Sequence, residues 1–527
     1  MTSLKSRWAR VALSLFALCS VILSASVAAA SAGYIGIRGQ PPIAPLNTKA
    51  RYLVLIVLDG ARPDYLHLVP LPHLDALMAQ GTEYTRAMSG VLESETPTGH
   101  ATISTGSTPR RSGILGFSWE QGSHTFSLFS PAVVRSGAME RIMQQAHAPT
   151  IAGLYKDRFP NAAVVALSGH KYYAADPLGG PRADAILYMR GTLQHTYAPT
   201  AIPGHVPPPG ILNDPRLTVP LKKLTFGQDD SLVTQMELDA FAKLHQRITL
   251  MNYPDFDWPL GHVYGGNRDK KGVIALMRNF DYNLGRIEDA YRAAGILKQT
   301  LFIITADHGM SGINRFVPDT LFKNAVAQAG TIAPSMTFDT ATYIWLQDLN
   351  KAGLVAANIV KAHDPGIQSV YYRAFVHNHL RYVRSPSNPI PASLAAANQF
   401  LLSTLVNGHE PTVVAILRKH ATSSRPSSHW KADHGGATWG VQHVPLVIAG
   451  PGIRKGFKSA LPAQLEDIAP TALVAMGAQP VGMEGHVLAE AMTTPFQADQ
   501  VNRAGELKRI SPVVRALITE DKVEGKG

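Results

Sequence analysis

Three aspartates and three histidines between residues 59 and 434 each lie beside a short apolar run. Asp59 closes the run 52–58, Asp257 and His262 follow 248–251, Asp307 and His308 close 301–306, and His434 precedes 444–448. Carboxylate oxygens and imidazole nitrogens bind divalent cations such as Zn²⁺. If the fold brings the ends of these runs together, the six side chains can form two adjacent metal sites.

The apolar runs alternate with segments of helical periodicity, a pattern typical of parallel strands buried between helices. A further strand is predicted at 161–167, and helices are predicted at 72–80, 229–246, 271–295 and 467–477. Open α/β sheets carry their sites at the carboxyl ends of the strands. The sequence therefore predicts an α/β fold with a central, mostly parallel sheet flanked by helices, and with the six side chains at one edge.

Residues 319–431 separate Asp307 and His308 from His434 and have strand patterns of their own at 342–346, 370–375 and 412–417. We interpret this segment as an inserted α+β cap. The catalytic domain would then consist of residues 33–318 and 432–495, followed by a C-terminal tail at 496–527. The proline-rich stretch 199–220 is predicted to be a surface loop.

The first 32 residues have the pattern of a secretory signal peptide. Lys5, Arg7 and Arg10 precede an apolar stretch at 11–23, and small residues suitable for cleavage follow at 28–32. An uncleaved anchor is the alternative, because 11–32 carries no charge and is long enough to span a bilayer. We favour cleavage, since the second half is mostly alanine and serine. The mature chain would be periplasmic or secreted, with no stable membrane span.

Composition excludes several classes of site and partner. Hydrophobic residues make up 45% and charged residues 17%, as in ordinary globular proteins. The formal net charge is +11, but no arginine-rich stripe suggests a nucleic-acid polymer as partner. The single cysteine, Cys19, lies in the leader, so a cleaved chain has no disulfide, thiolate ligand or cysteine nucleophile.

Thr96 is the candidate nucleophile. It precedes Pro97, and threonine before proline is typical of the residue that caps a helix N-terminus. The two roles are compatible, because the N-terminus of a helix also attracts phosphate. A metal ion bound to the threonine oxygen would favour the alkoxide, which is the attacking form.

Taken in order, these segments resemble the alkaline phosphatase superfamily. The similarity is greatest to its threonine-nucleophile branch, the nucleotide pyrophosphatase/phosphodiesterases and the threonine-dependent bacterial alkaline phosphatases. It runs from about residue 50 to 490 and depends on the segments 59–60, 96–106, 257–262, 307–310, 434–435, 444–452 and 467–477.

The resemblance implies a two-zinc phosphoric ester hydrolase that acts through a phosphothreonine intermediate, with net retention at phosphorus. One zinc would be held by Asp59, Thr96, Asp307 and His308, and the other by Asp257, His262 and His434. The implied substrate is a small phosphate ester, either nucleotide-like or an aryl diester.

The sequence departs from the family pattern at three places. The spacing from Asp257 to His262 is one residue longer than usual, and Asp255 competes with Asp257 as ligand. Phe117 stands where the family has a phosphate-binding asparagine, so Ser118 or a backbone N–H would have to substitute. A third departure replaces a Lys-x-Arg pair of the phosphomonoesterases by His170 and Tyr172, while Lys171 would point away in an extended chain.

Loss of two fixed cations weakens binding of a monoester dianion, so the sequence favours diesters or pyrophosphate bonds. A phosphomonoesterase or a phosphonate hydrolase on the same scaffold is the alternative. A non-catalytic, metal-stabilised binding protein is the alternative of another class. Sulfatases of the superfamily are disfavoured, because they need a cysteine or serine that is converted to formylglycine, and Thr96 is neither.

Overall fold

A ten-stranded mixed sheet forms the centre of the protein in the computed structural model. The structure describes residues 50–121, 124–130, 132–133, 136–377, 379–386, 389–424 and 429–524. The predicted signal peptide lies outside these residues. Among the described residues, no helix combines the length and the apolar character needed to cross a membrane.

Five adjacent strands at the middle of the large sheet run parallel to one another. Across the sheet the strands are, in order, Phe457–Ser459, Gly81–Tyr84, Leu446–Ala449, Thr300–Thr305, Tyr52–Leu58, Ile248–Tyr253, Val164–Ser168, Ala185–Gly191, Thr196–Ala201 and Val219–Pro220. The residues of the central strands are almost all buried, as the apolar runs require when helices cover both faces. The α/β class and the helix-flanked central sheet are confirmed.

One strand direction and one loop were predicted wrongly. The run 444–448 was expected to be parallel, but Leu446–Ala449 runs antiparallel to both of its neighbours. An antiparallel strand starts at the edge of the sheet where its neighbours end. The residues just before Leu446 therefore lie at that edge. The predicted loop 199–220 contains the last three residues of the strand Thr196–Ala201. The outer edge of this strand pairs with Val219–Pro220 only at residues 196 and 197, so it tolerates a proline at position 199.

The four predicted helices occur with boundaries within two residues of those expected. The α-helices are Pro72–Ala79, Thr96–Thr105, Pro109–Ser112, Ala138–Gln145, Ile151–Arg158, Tyr172–Gly179, Gln228–Leu244, Lys270–Ala293, Asp319–Gln328, Ala352–Lys361, Ala392–Ser403, Trp439–Gln442, Ile468–Ala475 and Gln497–Glu524. The last lies in the segment predicted as a tail. This helix packs against Ala392–Ser403 and buries Ile510, Val514 and Leu517.

A second sheet of five antiparallel strands lies wholly within residues 319–431. Its strands are, in spatial order, Ser335–Phe338, Ala341–Trp345, Val413–Leu417, Ile367–Val376 and His379–Arg384. Three of them cover the runs expected at 342–346, 370–375 and 412–417. The Tyr343 hydroxyl donates to the carbonyls of Leu92 and Gly435, at 3.1 and 2.8 Å. The second sheet is therefore tied to the loops that precede Thr96 and follow His434, and its status as a separate cap stays a prediction.

Candidate active site

The carboxyl ends of three adjacent parallel strands bring the predicted aspartates to one edge of the sheet. Asp59 follows Tyr52–Leu58, which lies between Ile248–Tyr253 and Thr300–Thr305. Asp257 follows the first of these neighbours by four residues, and Asp307 follows the second by two. His434 arrives from another direction, since Ser311 pairs with Asp433 in a short antiparallel ladder. Distant segments of the sequence thus meet at one point.

The predicted metal ligands form one contiguous, buried cluster. Three groups of side chains have ligand atoms within 4.8 Å of one another: Asp257, His308 and His434; His262, Asp433 and His434; and Asp59, His100 and Asp307. These groups do not coincide with the two predicted ligand sets, because His308 lies close to residues of both sets. Its Nε2 is 3.6 Å from Asp59 Oδ1 and 3.4 Å from Asp307 Oδ2.

Three histidines turn the same ring nitrogen towards the cluster. His262, His308 and His434 each hydrogen-bond through Nδ1 to a backbone carbonyl, that of Ala432 at 3.0 Å, Gly309 at 2.9 Å and Ser94 at 3.2 Å respectively. A carbonyl only accepts, so Nδ1 carries the proton in all three rings. Nε2 is then the basic nitrogen, which is the arrangement found in histidines that bind metals.

Several buried polar atoms of the cluster have no hydrogen-bond partner among the residues that the structure describes: Asp59 Oδ2, Asp257 Oδ1, Asp307 Oδ2 and His308 Nε2. Leaving such atoms without a partner costs free energy, and native proteins rarely do so. Oxygen and imidazole nitrogen atoms at this density suit Zn²⁺ or a similar dication. The residues therefore fit a pair of metal ions.

The charges within the cluster shift the pKa values of its members in both directions. Burial would lower the pKa of His262, but Asp257 raises it above its ordinary value. Burial would raise the pKa of Asp257, but Lys171 and His262 hold it well below its usual range. Burial opposes ionisation of Asp307 as well, yet His308 and His100 keep its pKa below the ordinary value. Burial, followed by the charge of His308, lowers the pKa of His434 and keeps that ring neutral. By contrast, burial and Asp307 raise the pKa of Asp59.

Thr96 is the first residue of the helix Thr96–Thr105, and Glu95 occupies the capping position without a side-chain cap bond. The prediction that Thr96 caps this helix was therefore wrong. Its hydroxyl is 3.4 Å from Asp59 Oδ1 and accepts from Lys171 Nζ at 3.3 Å. The hydroxyl makes no capping hydrogen bond to the helix and instead faces the cluster.

Gly99 allows this helix to approach the strand end that carries Asp307. A Cβ atom at Gly99 would lie 2.6 Å from both Cβ and the carbonyl oxygen of Asp307. We expect Gly99→Ala to lower the free energy of unfolding by about 1–3 kcal/mol, since the clash is with backbone and overpacking forces it to move. Urea unfolding measures the change.

Gly505 is the matched control, because it lies in the helix Gln497–Glu524 and a Cβ there would meet nothing within 4 Å. Gly505→Ala should leave stability unchanged or raise it by about 0.5–1 kcal/mol. Equal effects of the two substitutions would contradict the close approach at Gly99.

An irregular turn accommodates the additional residue between Asp257 and His262. Trp258 has an extended backbone within this turn, and the His262 N–H donates to the Asp257 carbonyl, five residues back, at 3.1 Å. His262 Nε2 consequently lies 3.3 Å from Asp257 Oδ1. Asp255 Oδ2 instead accepts from the Asp230 N–H at 3.3 Å, and the Asp255 N–H donates to Asp230 Oδ1 at 3.2 Å. Asp255 belongs to none of the ligand groups among the described residues.

Lys171 lies at the centre of the cluster, contrary to the expectation that it points away. Its Nζ donates to Asp257 Oδ2 at 2.5 Å and to Asp59 Oδ1 at 2.8 Å, and its side chain is 2% exposed. The expectation assumed an extended chain. Instead the chain turns after Ser168, and the helix Tyr172–Gly179 begins directly after Lys171. The cluster therefore contains a buried cation beside the candidate nucleophile.

Two groups that could substitute for the family asparagine, the Phe117 N–H and the Ser118 hydroxyl, donate to other side chains in this structure. The Phe117 N–H donates to Glu95 Oε2 at 3.0 Å, and the Ser118 hydroxyl donates to that of Ser127 at 3.0 Å. The Phe117 ring stacks on Phe129 with centroids 4.8 Å apart. This position thus supplies an aromatic wall in place of a phosphate-binding side chain.

Two further residues complete the cluster, and sequence reasoning did not assign either. His100 hydrogen-bonds through Nδ1 to the Thr96 carbonyl at 2.7 Å and lies 3.3 Å from Asp307 Oδ2. Asp433 accepts from the hydroxyls of Thr422 and Ser424, at 2.6 and 2.7 Å. A histidine four residues after Thr96 falls on the same helix face, which is the signal that could have identified His100.

A cavity of 760 Å³ opens over the cluster. Thr96, Asp257, His262 and His434 contribute to its floor, and aromatic side chains form much of its wall: Phe117, Phe129, Tyr173, Trp258, Phe338 and Trp430. The carboxyl groups of Glu95 and Asp339 also line it. A small phosphate ester with an apolar substituent matches both the volume and the lining.

Comparison with known proteins identifies the family. The model of the type I phosphodiesterase / nucleotide pyrophosphatase family matches residues 53–435. Arylsulfatase K of Danio rerio is 36% identical over 89 residues, which cover 14% of this chain and only 17% of that protein.

Two solved structures share the fold. Wild-type alkaline phosphatase PafA superposes with a TM-score of 0.64 at 16% identity, over 85% of this chain and 100% of PafA. An inactive variant of murine ectonucleotide pyrophosphatase/phosphodiesterase 5, in complex with AMP, superposes with a TM-score of 0.57 at 16% identity, over 83% of this chain and 97% of that one. The chain belongs to the type I phosphodiesterase / nucleotide pyrophosphatase family, a family of phosphoric ester hydrolases.

Proposed function

We propose that the protein hydrolyses phosphoric diesters or pyrophosphate bonds through a phosphothreonine intermediate on Thr96. The observation that carries this proposal is the Thr96 hydroxyl, which lies 3.4 Å from Asp59 in a buried cluster of carboxylates and imidazoles. The Lys171 ammonium, 3.3 Å from the same oxygen, would stabilise the developing alkoxide.

Two metal ions, zinc by this proposal, would be held by Asp59, Thr96, Asp307 and His308, and by Asp257, His262 and His434. When bound, they would supply Lewis-acid stabilisation of the attacking and leaving oxygens. The backbone carbonyls that hold the histidine rings would keep Nε2 directed at these ions. His100 would fix the orientation of Asp307 and of the first turn of the nucleophile helix.

The preference for diesters is supported by the charges around the cavity. Glu95 is buried beside Thr96, and Asp339 lines the same cavity. Burial raises the pKa of Glu95, and burial together with Glu95 raises the pKa of Asp339 well above its usual range, so the pair carries less than two full negative charges. A monoester dianion has one more charged oxygen than a diester, and the remaining negative charge of the pair disfavours it more strongly. Lys171 works in the opposite direction, which makes an alkaline phosphomonoesterase the second candidate. Aromatic walls suit a nucleoside or aryl substituent.

A panel of four substrates tests the proposal. We expect kcat/KM for a bis-aryl phosphate and for a nucleoside aryl diester to exceed that for an aryl monophosphate and for phosphonoacetate by at least about tenfold, roughly 1.4 kcal/mol. Initial rates at equal enzyme and metal concentrations provide the comparison. A monoester preference of the same size would instead favour the second candidate and leave the nucleophile assignment intact.

The protein would act in the periplasm or outside the cell on a soluble ester. This proposal rests on the predicted signal peptide. A test is N-terminal sequencing of the protein recovered from cell fractions: a mature N-terminus near residue 33 supports export, and an intact N-terminus in the membrane fraction supports the anchor.

A further inference from the structure

His170 lies on the wall of the cavity that contains Thr96, yet the proposed mechanism does not use it. It follows the strand Val164–Ser168 by two residues and directly precedes Lys171. Its side chain is 34% exposed, whereas that of Lys171 is buried against Asp59 and Asp257. The two neighbours therefore face different environments, and His170 lines the cavity while Lys171 is buried in the cluster.

A single carboxylate fixes the His170 ring. His170 Nδ1 is 2.8 Å from Asp229 Oδ2, and the His170 backbone N–H donates to the same oxygen at 3.0 Å. The Tyr197 hydroxyl donates to the other oxygen, Oδ1, at 2.7 Å. A carboxylate that accepts from both partners holds the ring with Nδ1 protonated. Nε2 is then the ring nitrogen available to a molecule in the cavity.

The position of Asp229 depends on the local backbone. It lies in the first turn of the helix Gln228–Leu244, where the helix dipole favours a negative charge, and its side chain is 5% exposed. A Cβ atom at Gly169 would lie 2.3 Å from Asp229 Oδ2, so only glycine allows this contact. The histidine, its carboxylate and the glycine form a built arrangement with the geometry of a general acid–base pair.

We propose that His170 is a further catalytic residue of this reaction, acting at the oxygen opposite Thr96. The inference rests on the proposed function. In-line displacement places the leaving oxygen of the first step and the attacking water of the second on the same side of phosphorus. One imidazole can therefore serve both steps, first as general acid and then as general base.

In the first step, the Thr96 hydroxyl loses its proton to solvent, its oxygen forms a bond to phosphorus, and the bond from phosphorus to the leaving oxygen breaks. His170 enters this step protonated on both ring nitrogens, and its Nε2 proton passes to the leaving oxygen. In the second, a water oxygen bonds to phosphorus, the bond to Thr96 breaks, and the water proton passes to Nε2. Thr96 takes back from solvent the proton that it lost on attack.

A series of methyl aryl phosphodiesters tests the inference, because general-acid catalysis matters most for poor leaving groups. We expect His170→Gln to lower kcat/KM by about 10²-fold or more for the phenyl ester but by less than about tenfold for the 4-nitrophenyl ester. Asp229→Asn should act in the same direction with a smaller effect. His124→Gln, at an exposed histidine outside the cavity, should change neither rate.

A second variant covers the case in which His170→Gln folds poorly. His170→Gly leaves room for added imidazole, which should restore the phenyl ester rate in a concentration-dependent manner. An equal loss across the ester series, with no rescue by imidazole, would overturn the role of His170. Failure of the proposed function would give a different result. The wild-type protein would then show no diester hydrolysis, or hydrolysis that Thr96→Ala does not abolish.

Discussion

Alanine at position 96 is expected to lower kcat/KM for a diester by at least about 10⁴-fold, the scale seen when a covalent nucleophile is removed. Thr96 supplies the hydroxyl that lies against Asp59 and Lys171 at the floor of the cavity. Without it, water must attack phosphorus directly. Steady-state rates of Thr96→Ala on a bis-aryl phosphate measure the loss, and metal analysis should show that the variant keeps its ions.

Thr98 provides a control in the same helix. It is buried, and its hydroxyl has no hydrogen-bond partner. Thr98→Ala should therefore retain most of the activity, and Thr96→Ser should retain part of it because a hydroxyl remains. Acid quenching of wild type during turnover should yield a phosphorylated peptide that contains Thr96. If Thr96→Ala keeps more than about a tenth of the wild-type rate, the nucleophile is another group.

The positions of the predicted ligands followed from the sequence because strand ends are a strong signal. Apolar runs such as 52–58 and 301–306 have the length of buried strands, and parallel neighbours end at the same edge. This reasoning brought Asp59, Asp257 and Asp307 together without knowledge of any contact. The antiparallel direction of Leu446–Ala449 was missed, since an apolar run has the same appearance in either direction.

Other features depend on contacts between distant residues and could not be predicted. The direction of the Lys171 side chain is set by where the helix Tyr172–Gly179 begins, and its partners Asp59 and Asp257 are far away in sequence. Likewise, one inserted residue between Asp257 and His262 could have displaced either ligand. An irregular turn in which Trp258 has an extended backbone keeps His262 Nε2 3.3 Å from Asp257 Oδ1, and nothing in the sequence signals such a turn.

Lys171 changes the balance of charge that the sequence implied. Sequence reasoning counted two lost cations and so favoured diesters, whereas the structure contains a buried ammonium beside the candidate nucleophile. The carboxyl groups of Glu95 and Asp339 still line the cavity. Burial raises the pKa of both groups, and Glu95 raises that of Asp339 further, so the pair carries less than two full negative charges. A monoester would therefore meet one favourable charge and a partly neutralised carboxyl pair, which reduces the expected size of the diester preference.

Removal of the metal ions is expected to abolish activity and to destabilise the protein. Four buried carboxylates, those of Asp59, Asp257, Asp307 and Asp433, belong to the ligand groups and repel one another. A ligand present at 1,000 times its Kd stabilises the folded state by about 4 kcal/mol, so chelation should lower the free energy of unfolding by a similar amount per site. Urea unfolding with and without a chelator, followed by re-addition of Zn²⁺, measures both effects.

Asp257 and Asp255 form a matched pair that tests the same sites residue by residue. Asp257 contacts His262 and Lys171, whereas Asp255 hydrogen-bonds to the backbone of Asp230 outside the ligand groups. Asp257→Asn should lose one of two ions per chain and nearly all turnover, while Asp255→Asn should keep both ions. Metal content measured on purified protein decides the outcome. Two ions in Asp257→Asn, or none in the wild type, would contradict the two-metal site, because the unpartnered atoms of the cluster would then need another explanation.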